Sequence, residues 1–344
     1  MSIETSFGPF LPALDEGAHN AVDVCLAITR GEHVALVADE ASREVAASIA
    51  AALDAAGAKT TSVLIEQVAT RPMTAAPREV LGALEACDAG VLCVQPRQGE
   101  LGARMAIVAT VERRQIRYAH MVGVTPTIMQ QGMRADYRLV DKLSTVLCER
   151  MREAASLRVS TKYGTSLNAS FDPRLHWVKT SGLISPRYWS NLPAGEVFTT
   201  PASVDGVFVC NGTAGDYFGG KYGDLSDTPM TLEIAGGRLT GVHCERRDLQ
   251  REFHDYCHTD AFSDLVGELA FGTNLALSDM IGILLQDEKV PGVHLAFGDP
   301  YGSQTGANWK SSTHVDVLTR ECDVWIDDQQ VIANGRYLLD RLGL

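Results

Sequence analysis

Apolar and polar positions follow a strand–helix alternation in the first half of the chain. His33–Ala38 is a short apolar run that predicts a buried strand. Val45, Ile49 and Leu53 follow it at helical spacing. Thr60–Ile65 is rich in β-branched residues and predicts the next strand. This order is typical of βαβ units, so the pattern predicts a parallel sheet flanked by helices.

The pattern changes near residue 156, where short apolar stretches separated by turn-forming residues replace that alternation. Just before this point, Leu139, Leu143 and Leu147 share one face of a long predicted helix. Hairpin-like segments follow it. We therefore predict an α/β domain with a parallel sheet over residues 1–155, followed by an α+β domain over residues 156–344.

Composition excludes several classes of protein. The 344 residues are 45 % hydrophobic and 21 % charged, which is ordinary for a globular chain and excludes a disordered or collagen-like one. The formal net charge of −13 argues against a nucleic-acid partner, because phosphate binding needs clustered basic residues. No charge-free apolar stretch reaches the ~20 residues of a membrane helix, so no membrane partner is expected.

The cysteines indicate a reducing compartment. None of the eight belongs to a C-x-x-C pair, and they lie in apolar runs such as Val91–Val94. Residues 1–11 have neither the basic region nor the apolar run of a signal peptide. We expect buried, reduced thiols in a cytoplasmic protein.

Candidate metal ligands are concentrated in the second half, and the first pair is His314 and Asp316. The two residues are two positions apart, so on a strand both side chains leave the same face. A neutral imidazole and a carboxylate are both good ligands for divalent cations. The pattern is equally typical of a half-exposed strand with its polar residues toward solvent, and the local sequence leaves both interpretations open.

His294 and Glu288 form a second candidate pair on either side of a Pro-Gly turn. His294 lies in an apolar run, with Leu295 and Phe297 on the opposite face of the predicted strand. A lone histidine in that setting is more often a hydrogen-bonded core residue than a ligand. Glu288 either folds back toward His294 or is a solvated loop acid.

Two further acids, Glu196 and Glu268, each follow a glycine and precede apolar strand residues. Burying an unpaired carboxylate is costly, so each acid needs a partner. Several such acids near two histidines fit a shared metal site.

A helical histidine pair competes with these candidates. His254 and His258 have a zinc-compatible spacing, but the glutamate that zincins carry directly after the first histidine is missing. Arg251 and Glu252 beside them indicate a solvated helix. No G-x-G-x-x-G, P-loop or G-x-S-x-G motif is present, which argues against dinucleotide, nucleotide and serine-hydrolase sites.

Taken in order along the chain, these segments resemble the aminopeptidase T, aminopeptidase S and PepS family of leucyl aminopeptidases. The match lies between about residues 156 and 335, while the first half agrees only in general plan. The resemblance implies two divalent metal ions per subunit. In the order of the chain, the residues that match the family's ligands are Glu196, Glu268, Glu288, His294, His314 and Asp316.

The same resemblance implies a hydrolase that cleaves a C–N bond of a small amide or a short peptide. Tyr301 matches a tyrosine at the family's site, where it donates a hydrogen bond to the developing oxyanion or binds metal. Asn308 and Lys310 follow it in sequence and are candidates for orienting the substrate. Zn, Co, Mn and Fe all suit this ligand set. The family also implies a homodimer or larger homo-oligomer.

Two alternatives stay open. The segments also resemble 2,5-dihydroxypyridine 5,6-dioxygenase, a ring-opening enzyme with one non-haem iron, which keeps counterparts of His314 and Asp316. That enzyme has a histidine in place of Glu268 and an apolar residue in place of Glu196. Four carboxylates and two histidines fit two divalent ions better, so the hydrolase is favoured. A catalytically inactive binding protein is the other alternative, and the retained ligand-type residues argue against it.

Overall fold

The chain has a mixed α/β fold in the computed structural model, which describes residues 4–5 and 7–344. Its strands, in chain order, are β1 (Glu4–Thr5), β2 (Gly8–Pro9), β3 (His33–Ala38), β4 (Lys59–Leu64), β5 (Ala89–Val94), β6 (Arg117–Val122), β7 (Ser156–Ser160), β8 (Ser166–Ser170), β9 (Val178–Thr180), β10 (Ser190–Asn191), β11 (Glu196–Thr199), β12 (Ser203–Cys210), β13 (Met230–Ala235), β14 (Arg238–His243), β15 (Val266–Gly272), β16 (Gly292–Gly298), β17 (His314–Leu318), β18 (Asp323–Ile326), β19 (Gln329–Ala333) and β20 (Arg336–Tyr337). Its helices are α1 (Asp15–His19), α2 (Arg43–Ala56), α3 (Ile65–Val68), α4 (Arg78–Glu85), α5 (Leu101–Arg114), α6 (Pro126–Gln130), α7 (Tyr137–Glu153), α8 (Asp216–Tyr222), α9 (Arg247–Tyr256), α10 (Leu284–Asp287) and α11 (Gly302–Thr305).

The parallel sheet predicted for the first half is confirmed. Its five strands lie in the order β10-β6-β5-β3-β4, and every neighbouring pair is parallel. Asp39 accepts a hydrogen bond from the backbone N–H of Ser42 at 2.9 Å and caps the turn that leads into α2. Gly57 ends that helix in the left-handed conformation, with φ 75°. The central strand β5 is buried along its whole length, as expected for a sheet with helices on its faces.

Two antiparallel sheets form the second half, in agreement with its hairpin-like pattern. One has five strands in the order β17-β16-β15-β11-β9, and the other has eight in the order β14-β13-β12-β8-β7-β18-β19-β20. Side chains of both sheets join one hydrophobic cluster, in which Phe271, Leu295 and Val317 of the smaller sheet meet Phe208 and Val324 of the larger. The apolar face of each sheet is therefore buried against the other.

The segments group into two compact units whose bounds differ from the predicted ones. One unit comprises residues 1–138 and 182–194, and the other comprises 139–181 and 195–344. The difference arises because α7 contributes its apolar face to the core of the antiparallel sheets and because the returning segment supplies β10 to the parallel sheet. The division at 155–160 into folding domains stays a prediction.

The structure confirms the prediction that the cysteine side chains are buried. All eight cysteines are unpaired and buried. Burial raises the pKa of the Cys87 and Cys148 thiols to about 11, so these side chains behave as small apolar residues at neutral pH. Among the described helices, none has the length and apolar character required to span a bilayer.

Candidate metal centre

The five-stranded antiparallel sheet has one apolar face and one face that carries the predicted ligands. Alternate residues such as Val197, Leu269 and Leu295 belong to the hydrophobic core. The residues between them point to the opposite face because side chains of a strand alternate. Five of the six predicted ligands lie on that face, on β11, β15, β16 and β17: Glu196, Glu268, His294, His314 and Asp316.

The register of the strands places ligands and small residues side by side. Glu268 pairs with Ala296, and Ala296 pairs with Asp316 on its other side. His294 likewise pairs with Ala270. An alanine therefore separates the two carboxylates across the sheet and leaves room above the backbone for the ligand side chains to converge.

A β-bulge at Gly267 turns Glu268 onto the ligand face. The register of β15 shifts between Val266 and Glu268. Both Val266 and Leu269 belong to the hydrophobic core although they are three positions apart, which regular alternation does not allow. The extra residue in the bulge reverses the alternation and directs the carboxylate away from the core. Gly267 is needed there, since a Cβ would come within 2.5 Å of the Gly298 carbonyl oxygen.

Two overlapping sets of ligand atoms result from this arrangement. Glu196, Glu268 and His294 form one set, and Glu288 and Asp316 join His294 in the other, with all ligand atoms of a set within 4.8 Å of one another. His294 Nε2 lies 3.0 Å from Glu196 Oε1 and 3.7 Å from Glu268 Oε1. These distances bracket the roughly 3.4 Å that separates ligand atoms around a four-coordinate ion with bonds of about 2.0–2.1 Å.

The state of His294 Nε2 tests whether these residues fit a metal ion. The side chain is 3 % exposed, and Nε2 is buried without a hydrogen bond of acceptable geometry to any described residue. The carboxylates beside it lie at short distance but off the hydrogen-bonding direction. A buried polar atom of this kind requires a partner. An imidazole nitrogen surrounded by carboxylate oxygens suits a divalent cation, so these residues fit a metal ion.

His314 is oriented by the loop that precedes its strand. Its Nδ1 donates to the backbone carbonyl of Asp299 at 2.9 Å, which leaves Nε2 free and 3.6 Å from Asp316 Oδ1. Asp299 also accepts a hydrogen bond from the backbone N–H of Tyr301 at 3.0 Å. Tyr301 has a left-handed backbone with φ 48°, and its ring lies 4.5 Å from the His314 ring between centroids. Asp299 therefore positions both side chains, a role that the sequence did not indicate.

Lys289 is the second residue of the site whose role the sequence did not indicate. Its ammonium group lies between Glu196 and Glu288, 2.9 Å and 2.5 Å from their nearest carboxylate oxygens. The side chain is 2 % exposed. A lysine next to an acid and just before a Pro-Gly turn looks like a surface residue in sequence, and only the demand of buried acids for a cation points to it.

Burial and the neighbouring charges shift the pKa values of this cluster in different directions. Burial raises the pKa of Glu288 to about 8, and the nearby acids add to the effect while Lys289 opposes it. Burial disfavours the charge of Glu196, but Lys289 and His294 together lower its pKa to about 2. Burial also disfavours protonation of His294 and His314, yet the surrounding carboxylates raise both pKa values to about 10. The site thus attracts positive charge strongly, and a metal ion competes with these protons.

The other predicted residues lie apart from this cluster or at its edge. Asn308 and Lys310 are exposed in the segment between α11 and β17, and their proposed contact with substrate stays a prediction. His254 and His258 are exposed and stack on each other with ring centroids 4.1 Å apart. His258 Nδ1 is hydrogen-bonded to the His254 carbonyl at 2.7 Å, which agrees with the interpretation of that pair as a solvated helix end.

Comparison with known families and sequences relates the chain to two kinds of enzyme. A family model described as thermophilic metalloprotease (M29) matches residues 112–331. The chain is also similar to 2,5-dihydroxypyridine 5,6-dioxygenase of Pseudomonas putida, with 24 % identity over 199 residues. That match covers 54 % of this chain and 55 % of the relative, so it spans about half of the relative's length.

Two solved structures share the fold over nearly the whole chain. The structure of 2,5-dihydroxypyridine dioxygenase from Pseudomonas putida KT2440 has a TM-score of 0.68 and 20 % identity, covering 97 % of this chain and 100 % of that one. Wild-type AmpT from Thermus thermophilus has a TM-score of 0.67 and 17 % identity, covering 95 % of this chain and 99 % of that one. At these identities the likeness shows the fold alone, so the chemistry must be argued from the site.

Proposed function

Since the chain belongs to the thermophilic metalloprotease (M29) family, we propose that it is a two-metal-dependent hydrolase that cleaves a C–N bond. The substrate is a small amide or the N-terminal peptide bond of a short peptide. The observation that carries the proposal is the grouping of four carboxylates with His294 into two ligand sets, beside which His314 Nε2 lies 3.6 Å from Asp316 Oδ1. The narrower assignment to aminopeptidases T, S and PepS is part of this proposal.

Four carboxylates and two histidines provide more ligand groups than one ion with about four ligands needs, which supports a pair of ions. Glu196, Glu268 and His294 would hold the first ion, with Glu268 as a candidate bridge. Glu288, His314 and Asp316 would hold the second ion. When bound, divalent ions supply a Lewis acid for the substrate carbonyl and a water of lowered pKa. Zn, Co, Mn and Fe are all compatible with these oxygen and nitrogen donors.

Tyr301 is the residue best placed to act on the substrate. Its side chain is 41 % exposed, while its ring packs beside His314. Its left-handed backbone is held by the Asp299 carboxylate and aims the side chain at the ligand cluster. We propose that the phenol O–H donates a hydrogen bond to the oxygen that gains charge as the carbonyl is attacked.

An iron-dependent ring-opening dioxygenase is the alternative, because a sequence relative and a structural relative are enzymes of that kind. A site for non-haem iron and O₂ typically has two histidines, one carboxylate and open positions. Here Glu268 and Glu196 add two buried carboxylates beside His294. These extra acids favour two divalent cations and the hydrolase.

Metal content and a substrate panel together test the proposal. Protein loaded with Zn²⁺, Co²⁺ or Mn²⁺ and freed of excess metal is expected to hold two ions per chain and to release p-nitroaniline from aminoacyl-p-nitroanilides. Small amides and dihydroxypyridines complete the panel. One iron per chain, together with oxygen uptake on a dihydroxypyridine, would replace the hydrolase by the dioxygenase.

The proposal extends to the assembly of the protein. Most soluble oligomers are closed and symmetric, and we propose a homodimer or larger homo-oligomer. Light scattering at micromolar concentration measures the molar mass directly, and a mass of one chain, 37.1 kDa, would contradict this part of the proposal.

A further inference from the structure

Lys289 is a buried cation in the middle of the ligand set. Its Nζ lies 2.9 Å from Glu196 Oε2 and 2.5 Å from Glu288 Oε1. Its backbone is fixed as well, since its N–H donates to Gln286 O at 2.9 Å and its carbonyl accepts from Asn274 N–H at 3.0 Å. Removing an ammonium group from water is costly, and the two carboxylates offset that cost. The lysine therefore has one position, between these two acids.

The two oxygens of Glu196 have different partners. Oε2 accepts the hydrogen bond from Lys289, whereas Oε1 faces His294 Nε2 at 3.0 Å. Glu288 Oε1 likewise accepts a hydrogen bond from Lys289, and Glu288 belongs to the ligand set of His294 and Asp316. Each acid thus has one oxygen that binds the ammonium group and a second oxygen that the ammonium group does not bind.

A second buried cation shows what a purely structural ion cluster looks like in this chain. Arg71 lies between Asp39 and Glu100, and its guanidinium and nearby backbone N–H groups bind all four carboxylate oxygens. Those acids have no oxygen left for a ligand. The two acids beside Lys289 each have an oxygen that the ammonium group does not bind. Charge compensation alone therefore does not describe the role of this lysine.

We propose that Lys289 sets the metal selectivity of the centre by restricting Glu196 and Glu288 to one coordinating oxygen each. The inference rests on the proposed metal centre. Zn²⁺ and similar small ions take about four ligands at ~2.0–2.3 Å, one atom from each side chain. Ca²⁺ takes about 6–8 oxygens and uses bidentate carboxylates. A site whose acids each lack one free oxygen favours the small ions and disfavours Ca²⁺.

Replacing Lys289 by methionine tests this role, because Lys289→Met keeps the length of the side chain and removes the ammonium group. The full chain is stripped with a chelator and titrated with Zn²⁺ and Ca²⁺ against a chromophoric competitor. The variant gains two free carboxylate oxygens and loses one positive charge. We expect its ratio of Zn²⁺ to Ca²⁺ affinity to fall by roughly 10-fold or more, the lower range of effects from residues that hold ligands in place.

Lys179→Met is the matched control. Lys179 lies on β9 of the same sheet and pairs with Asp141 at 2.6 Å, and neither residue is a candidate ligand. The control makes the same chemical change, so its affinity ratio is expected to equal that of the wild type.

The possible results separate the two proposals. Wild-type protein that binds Zn²⁺, with a Lys289→Met variant whose ratio is unchanged, overturns the selectivity role and leaves the metal centre intact. A wild-type chain that binds no divalent ion overturns the metal centre itself. If circular dichroism shows that the variant is unfolded, the visible spectrum of Co²⁺-loaded wild type decides. An intense four- or five-coordinate band supports the restriction, and a weak six-coordinate band overturns it.

Discussion

His294 and His258 differ in what surrounds their ring nitrogens. His294 Nε2 is buried among carboxylates without a hydrogen bond to a described residue, whereas His258 is exposed and bonded to the His254 carbonyl. The local sequence indicated a solvated helix around His258 and a core histidine at 294, and the family resemblance selected His294 as the ligand. Burial and geometry distinguish them, and neither is visible in residue order.

Spacing was most informative where two ligands belong to one strand. His314 and Asp316 were predicted to share a face, and the structure places their side chains 3.6 Å apart on β17. Lys289 and Asp299 could not be found in this way. Lys289 contacts an acid far away in the sequence, Glu196, and Asp299 binds His314 through its backbone carbonyl. No residue pattern indicates contacts of either kind.

Exchanging His314 for alanine should remove metal and activity together. Its Nε2 faces Asp316, and its orientation is fixed by the Asp299 carbonyl, so His314→Ala deletes a prepositioned ligand. Disturbing residues that only support a ligand typically costs about 10–100-fold in metal affinity, and losing the ligand itself should cost more. Isothermal titration with Zn²⁺ and elemental analysis of the purified variant measure the loss.

His258→Ala is the comparison for that experiment. The side chain is exposed just after the end of α9, and substitutions at exposed positions usually change stability by less than about 0.5 kcal/mol. Metal content and activity should equal those of the wild type. If His258→Ala lost metal while His314→Ala kept it, the metal centre would have been assigned to the wrong element.

The β-bulge of β15 shows a limit of sequence analysis at the level of elements. The pattern of an acid after a glycine selected Glu196 and Glu268 as candidates. The reason for the glycine at 267 appears only in the register, where this residue is the extra one that reverses the alternation. Strand patterns predict which residues alternate, but a bulge changes the face without changing the composition.

Gly267→Ala should damage both the fold and the site. Its Cβ would come within 2.5 Å of the Gly298 carbonyl and 3.0 Å of the Asp299 carbonyl oxygen, so the bulge must move. We expect a loss of about 1–3 kcal/mol in the free energy of unfolding. Zn²⁺ affinity should also fall, because the bulge aims Glu268. Urea unfolding of metal-free protein and metal titration measure the two effects separately.

Gly220→Ala provides the matched glycine substitution in α8. A Cβ there meets no atom within 4 Å, and the residue is exposed in the same unit of the chain. Alanine in a helix is favoured over glycine by roughly 0.5–1 kcal/mol, so this variant should be slightly more stable with unchanged metal affinity. Equal behaviour of the two variants would show that the bulge does not position Glu268.

For the molecule as a whole, the sequence was sufficient for the sheet types but not for the grouping of segments. Alternating apolar runs and helical periodicity predicted the parallel sheet, since both signals are local. The return of residues 182–194 to that sheet was not predicted, because β10 has only two residues and carries no periodicity. The packing of α7 against the antiparallel sheets likewise depends on which apolar face meets it, which a helical pattern alone does not specify.

The parallel sheet has a switch point between β3 and β5, where the chain reverses the order in which it adds strands. Open α/β sheets commonly bind ligands in the crevice at such a point. Here Asp39 follows β3, and Arg71 fills the position with a guanidinium that is 1 % exposed. It binds Asp39 and Glu100, both 0 % exposed, and the Gln95 carbonyl at 2.7 Å. A buried ion cluster therefore fills this crevice.

Arg71→Met should therefore destabilise the protein in a manner that depends on pH. Removing one partner of a buried ion pair leaves uncompensated charges, at a cost of about 3–5 kcal/mol at pH 7. Burial opposes ionisation of Glu100, but Arg71 and the Met73 N–H lower its pKa below the ordinary 4.5 in the wild type. A lowered folded pKa contributes stability above the unfolded value, and that contribution is lost as the pH falls through the folded pKa.

The variant has the opposite dependence, because acid neutralises the carboxylates that lost their cation. The difference in unfolding free energy between wild type and Arg71→Met should be largest near pH 7 and should shrink as the pH falls. Without Arg71, burial raises the pKa of Glu100, so the variant takes up the proton at a higher pH than the wild type does. Urea unfolding at pH 7, 5 and 4 measures this difference, with Arg78→Met as the control, since Arg78 is 94 % exposed on α4 and pairs with its neighbour Glu79. A difference that stayed constant over this range would mean that Arg71 stabilises the unit through packing rather than through its charge.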